Sequence, residues 1–166
     1  MIIILIASIV RRKKAIGGWL FYFLGTEILG ALVLVAQLAN EKSSFISSAW
    51  PDSRTYLAFL LASVPGVVVI AALAAVSLAL LITWSWDWIE RIKVLLAIDI
   101  ACRLVSAGIL LAFFAGRGVT ATIAPVVVQG IFLSYLFMSS RVKRVFLTND
   151  WPSPATLTDL ASRLPE

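Results

Sequence analysis

The 166-residue chain contains no histidine, a single cysteine (Cys102), and only 14% charged residues. Each shortage removes a class of chemistry. Without histidine the chain cannot by itself build a His-ligated haem, an HExxH zinc site or a Ser-His-Asp triad. One cysteine allows no internal disulfide and no CxxC redox pair, and in an apolar helix it reads as a small packing residue. Soluble domains carry roughly 25% charge, well above the level here. No nucleotide loop, metal-ligand set, repeat or low-complexity tract is present. No catalytic residue, no metal and no cofactor is therefore expected.

What the chain has in abundance is apolar: 61% hydrophobic residues and a mean hydropathy of +0.99. Apolar runs of about twenty residues read as transmembrane helices. Four occur, at about 16–39, 57–83, 92–115 and 120–139. They predict an all-α polytopic membrane protein, a four-transmembrane-helix bundle within residues 1–147, followed by a polar cytoplasmic tail at 148–166. The second run exceeds a core roughly 30 Å thick, so it must tilt or kink at Pro65. Its Ala71, Ala75 and Ala79 predict a smooth face for close packing.

Charge placement sets the orientation. Ten Lys and Arg residues (Arg11, Arg12, Lys13, Lys14, Arg91, Lys93, Arg141, Lys143, Arg144 and Arg163) fall on one side, and only Lys42, Arg54 and Arg117 on the other. The positive-inside rule then places both termini in the cytoplasm. The net charge of +5 is accounted for by this pattern, so nucleic acid is not an expected partner. The tryptophans, including Trp19, Trp84, Trp86 and Trp88, fall at proposed span ends, where amphipathic rings contact lipid headgroups. Arg141, Lys143 and Arg144 are expected to contact lipid phosphates. The loop "NEKSSFISSAWPDSRT" is expected to rest on the outer membrane surface. The short "WSWDWIER" and "AGRG" connections make the second, third and fourth spans successive antiparallel neighbours.

The opening decapeptide "MIIILIASIV" reaches only about 15 Å as a helix, too short to span. A secretory signal puts its charges before the apolar run, whereas "RRKK" follows this one. It is expected to embed at the inner leaflet or against a partner, unless the start site is misassigned.

"IGGWL" (Ile16–Leu20) opens the first span, and "YLFMSSRVKRVF" (Tyr135–Phe146) closes the last. With four spans and short loops, these motifs resemble the bacterial membrane family catalogued as domain of unknown function 2569. Its members begin on a GGWL-like motif and end on a Tyr…Ser-x-Arg-Val-Lys-x-Thr-Phe-like one. Val145 stands where that family has threonine. The resemblance implies a four-helix inner-membrane protein and brings no activity with it.

The third span carries Asp99 and Arg103 within "LLAIDIACRLVSAGILL". Thirteen large apolar residues give roughly −6 kcal/mol toward insertion, and the two charges cost about +5 to +6. Such a helix needs partners. Asp99 and Arg103 are four residues apart and share a face, which Ser106 continues. Glu27 and Gln129 lie at the same mid-membrane depth on the first and fourth spans. Intramembrane ionisable groups turn inward and pair, so Arg103 is expected to contact Asp99 and Glu27, with Gln129 within reach. The predicted polar cluster is Glu27, Asp99, Arg103 and Gln129. Two acids to one base fit either a structural ion cluster or a proton-coupled site. The leading expectation is a non-enzymatic accessory or interaction subunit, with lipid and other membrane subunits or a second copy as partners. A small proton-coupled transporter using Glu27 and Asp99 is the alternative, and an intramembrane enzyme the remote one.

Overall fold

The computed structural model describes residues 2–10 and 18–147. The Arg11–Lys14 cluster, Ile16 and Gly17 of the N-terminal motif, and the tail from Thr148 with Trp151 and Arg163 lie outside the described residues. The described chain is all helical: α1 (Ile2–Val10), α2 (Gly18–Asn40), α3 (Ser53–Thr83), α4 (Trp86–Phe113), α5 (Val119–Met138) and α6 (Ser140–Phe146). Two short 3₁₀ turns, Lys42–Phe45 and Ser47–Ala49, lie between α2 and α3. Helices α2, α3, α4 and α5 are each long and apolar enough to cross a membrane.

Two helices begin earlier than their apolar runs, and the cause is capping. The Asp52 carboxylate accepts from the Thr55 N–H at 2.8 Å and from the Thr55 hydroxyl at 2.8 Å, starting α3 at Ser53. These bonds, the backbone one foremost, hold the Asp52 carboxyl below the usual carboxylate range. Ser85 Oγ accepts from the Asp87 N–H at 3.3 Å and starts α4 at Trp86, with Asp87 at the positive end of the helix dipole. Hydropathy marks only the apolar part of each helix, whereas polar caps decide where the helix begins.

Only Trp84 and Ser85 separate α3 from α4. Trp84 adopts a left-handed conformation, φ 54°, and returns its N–H to the Leu80 carbonyl. The α4–α5 turn needs two glycines in that region, Gly116 (φ 75°) and Gly118 (φ 81°), where a Cβ is strained. With connections this short, α3 packs on α4 and α4 on α5, while α2 packs on α3 and α1 on α2. Ile4 of α1 is seated on Gly25, where an added Cβ would stand 2.9 Å from Ile4 Cγ2. The decapeptide is thus a helix docked within its own chain.

The core gathers at one end. Phe23 and Leu24 of α2, Leu73 and Leu80 of α3, Ile92 and Leu96 of α4, and Leu136 of α5 are fully buried there, and α6 seals it with Val142 and Phe146. The buried face of α3 is Val69, Leu73, Ser77 and Leu80. Ala71 and Ala75 face outward instead, so the expected alanine stripe is not the packing face. The opposite end is loose, and aromatic side chains line its mouth. Phe45 and Trp50 of the loop stack near Phe59, with centroids 5.3 and 4.8 Å away, and Trp50 meets Phe114 at 6.0 Å. Trp50 Nε1 donates to Ser44 O at 2.7 Å and Tyr56 OH to Phe45 O at 2.9 Å, which fixes the loop on the bundle.

Candidate functional site

A polar group sits where the packed end gives way to the loose one. Asp99 of α4 is fully buried. Its Oδ2 accepts from Arg103 Nε, one turn along the same helix, at 2.7 Å. The same oxygen accepts from Gln129 Nε2 of α5. Burying a charge is costly unless it is paired and hydrogen-bonded, and this carboxylate has both forms of compensation on one oxygen. Asp99 Oδ1 and Gln129 Oε1 have no hydrogen-bond partner among the described residues.

Glu27 is placed differently. It lines a cavity of about 460 Å³ between α2 and α5, together with Arg103 and Gln129, but the ion pairs among the described residues are Arg103–Asp99 and Lys93–Glu90. The helix order gives the reason. Helix α2 packs on α1 and α3, whereas α4 packs on α3 and α5, so α5 reaches the Asp99 site and α2 stands back. Gln129 consequently bonds to the acid rather than to the arginine. A second cavity of about 270 Å³ runs toward the loose end, with Gln37, Ser63, Gly66, Arg103 and Ser106 in its wall. Arg103 borders both.

Ser106 ties α4 to α3. Its Oγ lies 2.7 Å from the Ala62 carbonyl and 2.8 Å from the Cys102 carbonyl. Ala62 is three residues before Pro65, whose missing N–H interrupts the α3 ladder. The carbonyl that Pro65 leaves without its helical donor is that of Leu61, so Ser106 braces the backbone one residue beyond the break.

The interfacial residues divide. Trp19 is 63% exposed and meets Tyr22 edge-on at 6.0 Å. Trp84 is 48% exposed and lies 6.4 Å from Phe146. Trp86 and Trp88 pack against the core, and the Arg91 guanidinium stacks 4.4 Å over Trp88. Arg141, Lys143 and Arg144 lie on α6, whose Val142, Val145 and Phe146 are buried. Sequence reasoning counted Lys93 only among the cytoplasmic-side charges and missed its burial. It is 7% exposed, holds Glu90 at 2.7 Å, and sits 4.8 Å from the ring centres of both Trp86 and Phe137. The Glu90–Lys93 spacing was the available signal.

No family model, curated protein or solved structure matches this chain.

Proposed function

We infer that the chain is a non-enzymatic, multi-pass protein of a bacterial inner membrane that acts as an interaction subunit, with both termini cytoplasmic. The lysine and arginine asymmetry supports the orientation. The GGWL-like and Ser-x-Arg-Val-Lys-like ends support the placement, through the membrane family they resemble. The interaction role rests on the outward face of α4. Leu104, Val105 and Leu111 are 53%, 62% and 62% exposed there, and Gly108 has open space where a Cβ would stand. With Ala112 four residues on, this is a small-xxx-small surface on which another helix can approach closely. Mild-detergent purification followed by native mass spectrometry tests the reading. A stoichiometric partner or second copy is expected, and Gly108→Leu should release it while the chain stays folded. A lone chain whose behaviour Gly108→Leu leaves unchanged contradicts it.

A small carrier is the second reading, favoured by the position of Glu27 in a cavity wall. Asp99 suits that role poorly, because its Oδ2 already serves two donors. The intramembrane-enzyme alternative gains no support from Ser106, whose single proton is committed to backbone carbonyls.

A further inference from the structure

We propose that the cavity between α2 and α5 is a binding site for a monovalent organic cation, an ammonium carrying an apolar or aromatic group. This does not depend on the interaction-subunit reading.

Charge and hydrogen-bonding capacity decide the ligand class. Around the cavity, Arg103 is matched by Asp99 at 2.7 Å, which leaves Glu27 as the charge without an ion-pair partner among the described residues. Gln129, only 6% exposed, donates one Nε2–H to Asp99 and leaves Oε1 without a donor. Thr26 donates its hydroxyl proton to Phe23 O at 2.7 Å and so presents only lone pairs. The α2 and α5 walls offer Gln129 Oε1, Thr26 Oγ1 and Glu27 as acceptors, set beside the Arg103 guanidinium. With Glu27 ionised, Glu27, Asp99 and Arg103 together carry one net negative charge, and a ligand that completes the site brings N–H donors and one positive charge.

The walls decide the rest. Tyr22 and Phe132 line the cavity with ring centroids 6.2 Å apart, and aromatic faces attract ammonium groups. Ile70, Val128 and Pro125 supply apolar surface. About 460 Å³ accommodates a ring-sized substituent, whereas a bare metal ion takes six or more oxygens that this wall does not gather. A second positive charge would meet Arg103, so the site selects monocations. Because α2 and α5 are not main packing neighbours, the cavity lies in a seam between them, on the route of an amphipathic cation partitioned in the bilayer.

The test is equilibrium dialysis of radiolabelled benzylammonium against the full chain in nonionic micelles. Saturable binding is expected, weakened about tenfold or more by Glu27→Gln through loss of the charge-assisted contact. Gly30→Leu provides a variant that keeps every charge. Gly30 lines the cavity, and a Cβ added there would have no atom within 4 Å, so a leucine begins in open space, takes up cavity volume and should also abolish binding. Circular dichroism checks that both variants remain helical. Benzyl alcohol should not compete, and potassium chloride should compete only weakly. Absence of saturable binding, binding untouched by either folded variant, or displacement by potassium as effective as by benzylammonium would each overturn the proposal.

Discussion

The two ends of this bundle are built from similarly apolar sequence and behave differently. At the α6 end, leucine, isoleucine and phenylalanine from α2, α3, α4 and α5 interlock in one cluster. At the other end the same helices diverge around cavities bordered by Arg103, and aromatic loop residues line the mouth. Hydropathy does not separate the ends, because a lipid-facing leucine and a core leucine weigh alike. Packing does, through van der Waals contact and polar pairing, since lipid gives helices little hydrophobic reason to associate. Asp99, with Arg103 and Gln129, sits at the boundary and joins α4 to α5 there.

Breaking that boundary should have the largest effect. Arg103→Leu leaves Asp99 buried without its counter-ion and should cost about 3–5 kcal/mol, measured by unfolding in mixed micelles. Replacing Asp99, Arg103 and Gln129 together by leucine should cost far less, because a buried ionic cluster is often exchangeable for apolar residues. Next in size is a contrast within one helix. Leu73→Ala, in the packed end, should cost about 2–4 kcal/mol. Leu61→Ala, 62% exposed on the same helix in the loose end, should stay within about 0.5 kcal/mol.

Much of this was legible in the sequence, and the reasons are specific. Four apolar runs announced four helices because bilayer thickness fixes their length. The four-residue spacing of Asp99 and Arg103 announced their pairing, since a helix places those positions on one face. That Glu27 stands outside the Asp99–Arg103 pair was not legible: depth along a helix can be counted from the sequence, but the order of helices around the bundle cannot. The same limit hid the outward turn of Ala71 and Ala75. The docking of α1 on Gly25 was invisible as well, because only a neighbouring helix reveals why a side chain is missing there.

Smaller effects sharpen the comparison at its margins. Gly25→Leu should displace α1 by driving a side chain into Ile4, costing about 1–3 kcal/mol and abolishing a disulfide engineered between α1 and α2. The smallest effect belongs to the α3 cap. The Asp52 carboxyl is held below its unfolded value, so its contribution is full above the unfolded pKa and fades as pH falls through the folded one. Asp52→Asn retains a cap and should flatten the acid limb of the stability profile, with little change at neutral pH.

The division into a packed and an open end is tested most directly by thiol accessibility in a Cys102→Ala background. Ser63 lines the open-end cavity, whereas Ser77 is fully buried in the packed end of the same helix. A membrane-impermeant maleimide should label Ser63→Cys readily in folded protein, and Ser77→Cys only after unfolding. Equal labelling of the two, or labelling of Ser77→Cys alone, would contradict the account.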